Sequence, residues 1–416
     1  MTMVFMRHMF ARQMLLASSA LATLLLVILI LEVAHHSSLS GFQFAEWNIT
    51  ATHNDTTAPP LPELLDDVSN ATLGFQKIFV INLASRSDRR DSANLAAVLT
   101  GLKFEFVEAA THIDQKFMPP GAEDVDLKEG AAAAWRSHVD ILRRIVDENI
   151  SSALILEDDA DWDIRIKSQM RDFAKASRRL LQPLVNATDQ PLDRRFSRPL
   201  PVNYVLGDAN TTEPTTSPYG DLDRWDMLWI GHCGVSLPLP GNATAISSQA
   251  RVMLPQEMTA RVIIPNDMTV PPRRYIQREF SDRQLVNQYP DYTRVVARTR
   301  GGTCSLAYGV SQTGARKLLW ETGIRALTAP MDLMYRSLCD GTFGRDMINC
   351  LSPSPALFGH YRPPGPSSKW SNIDDLSEME QKDYPTSGNV RWGARFNIHN
   401  MVNGKTDYWD PFDDEE

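Results

Sequence analysis

Apolar positions fall into distinct patterns along the chain. From Met14 to Val33 nearly every residue is apolar, and Glu32 carries the single charge. A helix of that length, rising ~1.5 Å per residue, matches a ~30 Å hydrocarbon core. Arg7 and Arg12 precede it, so the positive-inside rule places residues 1–13 in the cytosol and the remainder in a lumen. A cleaved signal peptide is the competing reading, and it exports the chain as well. Residues 34–74 are rich in Ser, Thr, Asn and Pro and lack an apolar period. Such composition offsets little of the entropy of ordering, which predicts an extended stem.

Beyond residue 75 the pattern changes to short apolar runs. Ile78-Phe79-Val80-Ile81 reads as a strand buried on both faces. Leu95, Val98, Leu99 and Leu102 predict a helix, and Lys103 to Val107 a second strand with Phe104 and Phe106 on one face. Trp135, Val139, Leu142 and Val146 recur at helical spacing and predict a helix over 130–148. Ala153 to Leu156, Met227 to Ile230 and Ser305 to Val310 are further strands, and Thr313 to Trp320 a further helix. Strands alternating with helices predict an α/β domain over 75–370, a mostly parallel sheet flanked by helices and preceded by one transmembrane helix. Two Pro-rich stretches, 183–222 and 236–275, read as long inserts, and 371–416 as a polar tail.

Composition adds compartment and excludes one class of partner. The 416-residue chain has a formal net charge of −9 and no long basic run in its folded part, which argues against a nucleic-acid partner. Asn-X-Ser/Thr sequons at Asn48, Asn54, Asn70, Asn149, Asn186, Asn210 and Asn242 agree with export. Four cysteines, Cys233, Cys304, Cys339 and Cys350, allow two disulfides in three pairings. Cys339 with Cys350, which closes a short loop, is the preferred pair, and buried free thiols are the alternative.

The sharpest chemical signal is acidic. Glu157, Asp158 and Asp159 follow the strand Leu154-Ile155-Leu156 directly, and Asp161 makes a second Asp-X-Asp frame. Ligands of open α/β sheets bind beyond the carboxyl ends of strands. Carboxylates there repel a diphosphate unless a hard divalent cation, Mn²⁺ or Mg²⁺, bridges the two. Either frame can supply the ligands. Asn82, Arg86 and Arg89 lie just after the first strand, where a nucleotide would sit, and a guanidinium grips phosphate through its planar fork. His138 lies on the inward side of its helix, either as a core residue or as a donor-site group.

Several segments together resemble glycosyltransferase family 25, which includes bacterial lipopolysaccharide galactosyltransferases and collagen galactosyltransferases. They are Phe79-Val80-Ile81-Asn82-Leu83 with Arg86-Ser87-Asp88-Arg89-Arg90, Ser137-His138-Val139, and Leu154-Ile155-Leu156-Glu157-Asp158-Asp159. Trp225-Asp226-Met227-Leu228-Trp229-Ile230-Gly231, Gly314-Ala315-Arg316-Lys317-Leu318-Leu319 and Pro330-Met331-Asp332 continue the same order. The resemblance implies a GT-A type, Rossmann-like fold and a metal-dependent, inverting transfer from a UDP-sugar, UDP-galactose in many members. The acceptor is a glycan or glycoprotein, reached in the Golgi or ER as a single-pass type II membrane protein. By the same resemblance Thr111 touches the nucleotide, His360 completes the metal shell, with an ordinary surface histidine as the alternative, and Asp332 is the general base, with a helix-capping carboxylate as the alternative. The alternative is a non-catalytic carbohydrate-binding or scaffold module on the same fold.

Overall fold

The computed structural model describes residues 63–183, 185, 203–207, 211–238, 259–276, 282–366, 370–371, 381–412 and 414, all within one compact unit that spans 61–416. The chain opens with strand β1 (Lys77–Asn82), helix α1 (Ser87–Leu99), β2 (Glu105–Glu108), α2 (Glu129–Asp147) and β3 (Ser152–Glu157). Then come β4 (Ala160–Trp162), α3 (Ile166–Leu181), β5 (Asn203–Val205), β6 (Met227–Gly231), β7 (Gly234–Ser236) and β8 (Arg261–Ile264). α4 (Arg283–Gln288), β9 (Arg294–Arg298), β10 (Arg300–Thr303), β11 (Ala307–Ser311), α5 (Gln312–Leu318) and α6 (Met331–Asp340) follow. The last elements are β12 (Cys350–Ser354), β13 (Phe358–Arg362), β14 (Gly365–Pro366), β15 (Gln381–Lys382), β16 (Thr386–Ser387) and α7 (Ile398–Val402).

Among the described residues nine strands form the main sheet, in the order β2-β1-β3-β11-β6-β12-β9-β8-β5. β1 pairs in parallel with β2 and β3, but β11 runs antiparallel to both β3 and β6. β9 is antiparallel to β12 and β8. The sheet is therefore mixed, which corrects the expectation of a mostly parallel one. An apolar run such as Leu306 to Val310 reports burial on both faces and carries no information about strand direction. The two inserts also contribute to the sheet, because β5 and β8 extend its edge.

Alternation along the central strands divides the core. Ile78, Val80, Leu154, Leu156, Leu228 and Ile230 pack on one face with Ala96 and Ala97 of α1 and Ile166, Met170 and Phe173 of α3. Phe79, Ile155, Trp229 and Tyr308 pack on the other with Trp135, Val139 and Leu142 of α2 and Met334 and Leu338 of α6. α1 differs from its predicted face: Leu95 and Val98 are exposed, and the buried side is Ala93, Ala96 and Ala97. Small residues let the helix lie close to the sheet.

No helix among the described residues is long and apolar enough to cross a membrane. The expected anchor at 14–33 and most of the expected stem lie outside the described residues. Over the described residues the fold class is corrected to a mixed sheet flanked by helices, with no transmembrane helix among them. No membrane-spanning helix among the described residues supports the expected single-pass topology, the membrane partner or the Golgi and ER placement that followed from it. Disulfides join Cys233 to Cys304 and Cys339 to Cys350.

Candidate active site

β3 delivers Glu157 to the carboxyl edge of the sheet, and the chain turns through Asp158 and Asp159 into β4. β13 lies antiparallel to β4 with His360 opposite Ala160. One carboxylate oxygen each from Glu157 and Asp159 and one ring nitrogen of His360 come within 4.8 Å of one another. Asp159 Oδ2 accepts a hydrogen bond from Arg362 at 3.2 Å. Its Oδ1 is buried and has no hydrogen-bond partner. An unpaired buried anionic oxygen is costly, and a bound divalent cation would satisfy it. The two carboxylates suit Mn²⁺ or Mg²⁺, and the imidazole could add a nitrogen ligand.

Glu157 is held from behind. Ser305 Oγ donates to Glu157 Oε1 at 2.7 Å, and His138 Nε2 stands 3.5 Å from the same oxygen. Burial works to raise the pKa of this carboxyl, but His138, His360 and the Ser305 hydroxyl hold it down to about 2. His138 is buried, and its Nδ1 lies 3.0 Å from Tyr308 Oη, which in turn lies 2.9 Å from Tyr335 Oη. His138 thus orients Glu157 through a line of hydrogen bonds.

The remaining acids have other partners. Asp158 receives Arg89 Nη1 at 2.5 Å and Asn82 Nδ2 at 2.9 Å, and burial raises its pKa. Asp161 is fully buried and accepts from Ser387 Oγ at 2.6 Å and from the backbone N–H of Trp162 and Arg395, both at 2.9 Å. Burial pushes its pKa up to about 6. The structure brings Glu157, Asp159 and His360 together, then, and sets Asp158 and Asp161 in separate networks.

Of the expected donor-binding residues, Asn82 and Arg89 face Asp158. Arg86 makes a two-pronged contact with Asp88 through Nε and Nη2, at 2.9 and 2.8 Å. Thr111 is exposed on the loop after β2. Asp332 stands in the first turn of α6. Its Oδ2 accepts the Cys304 N–H at 2.8 Å and its Oδ1 the Leu333 N–H at 2.9 Å. Cys304 and Ser305 are adjacent, so one short segment touches both Asp332 and Glu157.

Three further residues that sequence reasoning missed, Arg395, Arg362 and Ser305, complete the surroundings. Arg395 donates to the carbonyl of Asp158 at 2.6 Å and fixes the acidic turn. Arg362 and Arg89 both donate to the Trp370 carbonyl, at 2.9 and 2.8 Å. Ser305 left a usable signal, since it opens the predicted strand; Arg395 left none. A cleft of about 590 Å³ opens elsewhere, at the far ends of β3 and β11 beside Asn149, Ser151 and Gln312. It shares no residue with the acidic cluster, and the converging carboxylates, rather than cleft size, mark the site.

Residues 75–204 match the family model described as Glycosyltransferase family 25 (LPS biosynthesis protein). Procollagen galactosyltransferase 2 of Mus musculus is 28% identical over 124 residues, which cover 25% of this chain and 19% of that protein. Procollagen galactosyltransferase 1 of Danio rerio is 27% identical over 114 residues, covering 24% of this chain and 19% of its own length. Procollagen galactosyltransferase 2 of Homo sapiens is 27% identical over 114 residues, covering 24% and 18%. The chain thus spans about a fifth of the length of these relatives. The matched region contains β1, the His138 helix and the acidic turn.

Proposed function

The chain is related at family level to the family 25 glycosyltransferases and the procollagen galactosyltransferases, and from that premise we propose that it transfers a sugar from a UDP-sugar to a glycan or glycoprotein acceptor. The observation that carries the reading is the convergence of Glu157, Asp159 and His360, together with a buried Asp159 oxygen that has no hydrogen-bond partner. These three residues would hold Mn²⁺ or Mg²⁺. When bound, the cation supplies Lewis-acid stabilisation of the departing diphosphate.

The protein's own groups do the rest. Asn82 and Arg89 clamp Asp158, and Arg395 its carbonyl, so the turn that bears Asp159 is fixed before donor arrives. Such preorganisation avoids reorganising the site during reaction. His138 and Ser305 orient Glu157 as positioning residues. Asp332 is the general base: its two backbone hydrogen bonds aim the carboxylate and leave a lone pair on each oxygen for a proton. The acceptor hydroxyl loses its proton to Asp332 as its oxygen bonds to the anomeric carbon. The bond from that carbon to the diphosphate breaks on the opposite face, with inversion. Galactose is the proposed sugar, because the matched relatives are named galactosyltransferases.

The test is turnover of UDP-galactose, UDP-glucose and UDP-N-acetylglucosamine by the purified full chain, followed as UDP release. Release should require Mn²⁺ or Mg²⁺, be fastest with UDP-galactose, and fall at least about a hundredfold in Asp159→Ala. Equal release in excess chelator would remove the metal from the reading.

A further inference from the structure

One disulfide lies against the proposed cation site. Cys233 Sγ is 4.0 Å from His360 Nδ1. Cys233, Cys304 and His360 present ligand atoms that all fall within 4.8 Å of one another, and all three residues are partly exposed. The second disulfide differs, since Cys339 and Cys350 are each 3% exposed. Thiol–disulfide exchange depends on access, so a reductant in solution reaches Cys233–Cys304 first. As a disulfide the two sulfurs are poor ligands. As thiolates they are strong ones.

We propose that Cys233 and Cys304, once reduced, form with His360 a second metal site for a soft divalent cation such as Zn²⁺, and that this site competes with the oxygen-rich site for the His360 imidazole. The chemistry balances with an external dithiol or phosphine as reductant. Two electrons enter the S–S bond, which breaks to give two thiols, while a dithiol becomes its own disulfide or a phosphine its oxide with oxygen from water. Zn²⁺ then displaces one proton from each thiol. Zn–S and Zn–N bonds of roughly 2.3 and 2.0 Å call for tetrahedral ligands about 3.5–4 Å apart. Cys233 and His360 already stand at that spacing, and opening the S–S bond lets the sulfurs part to match it. Thiolates and imidazole favour Zn²⁺, whereas carboxylates favour Mn²⁺ or Mg²⁺. Glu157, which shares a cluster with His360, or a water fills the fourth position. The sulfur site stands without the glycosyltransferase reading; only the competition for His360 rests on it.

The experiment uses the full chain under mild phosphine reduction, with Co²⁺ as the spectroscopic stand-in for Zn²⁺. Alkylation and mass spectrometry should find Cys233 and Cys304 modified before Cys339 and Cys350. A thiolate-to-Co²⁺ charge-transfer band should appear in the reduced chain, be absent from the oxidised one, and vanish in Cys233→Ser/Cys304→Ser. His360→Gln, which keeps both thiols, should weaken Co²⁺ and Zn²⁺ binding at least about tenfold. Zn²⁺ should release Mn²⁺ from the reduced chain, read by electron paramagnetic resonance, and release none from the oxidised chain. An equally tight band in His360→Gln, including one arising from unfolded chain, would overturn the site, as would prior alkylation of Cys339 and Cys350. If Mn²⁺ binds in neither state, the oxygen-rich site fails while the Co²⁺ band still decides the sulfur site.

Discussion

Asp159 and Asp161 are two residues apart and face different demands. Asp159 keeps an unpartnered oxygen and clusters with Glu157 and His360, while Asp161 spends both oxygens on Ser387, Trp162 and Arg395. The acidic run itself was legible in the sequence, because it follows an apolar strand. Its division of labour was not, since Ser387 and Arg395 lie 226 and 234 residues further along the chain. Local pattern cannot say which carboxylate is claimed from so far away. The split has a measurable consequence. Asp159→Asn should weaken Mn²⁺ binding at least about tenfold and leave thermal stability nearly unchanged. Asp161→Ala should do the reverse: it leaves two buried backbone N–H groups unpaired at ~1–3 kcal/mol each, so the melting temperature falls while the folded fraction still binds Mn²⁺. Titrations and thermal melts of the two variants separate these outcomes, and a loss of Mn²⁺ affinity confined to Asp161→Ala would reverse the assignment.

At the scale of elements, apolar runs located the central strands well: β1, β3, β6 and β11 overlap Ile78 to Ile81, Ala153 to Leu156, Met227 to Ile230 and Ser305 to Val310. The helix bearing Trp135 and His138 was equally plain from its spacing. Strand direction and the alanine face of α1 were not legible, for burial patterns do not encode direction and alanine is weakly apolar. The start of α5 shows what fixes one of these junctions. Ser311 Oγ accepts the Gly314 N–H at 3.0 Å, and Lys317 Nζ meets Asp226 at 2.7 and 2.8 Å. The helix start is pressed so closely on β6 that a Cβ at Gly314 would stand 2.0 Å from the Asp226 carbonyl oxygen. That neighbour is backbone and cannot swing aside. Gly314→Ala should therefore cost at least about 2 kcal/mol in chemical denaturation. Gly388→Ala, where a Cβ meets nothing within 4 Å, should stay within about 0.5 kcal/mol. Similar midpoints for the two variants would mean that the junction yields more readily than its contacts indicate.

For the molecule as a whole, the C-terminal stretch is the largest departure from what composition suggests. Residues 371–416 read as a polar tail, yet β16 pairs with β13, the strand that carries His360. Arg391 is 1% exposed, bound to Asp410 and Asp414 and stacked on Trp392 at 4.4 Å. Arg395 is nearly as buried and donates into the acidic turn through its side chain and its backbone N–H. This segment is held by charge pairing and hydrogen bonds more than by an apolar face, so hydrophobic periodicity passes over it. Its removal would strip Asp161 of Ser387 and Arg395, take the Arg395 donor from the carbonyl of Asp158, and expose one edge of β13. Unmet buried acceptors of this kind are costly, and the damage converges on the turn that bears Asp159. A chain ending at residue 380 should accordingly melt at least about 5 °C lower and bind Mn²⁺ at least about tenfold more weakly, even at temperatures where circular dichroism shows it folded. Supplying 381–416 as a separate peptide should restore part of the affinity, because the missing donors act by position and not by chain continuity. Unaltered Mn²⁺ binding by the shortened chain would show that Glu157, Asp159 and His360 hold their places without support from the C-terminal segment.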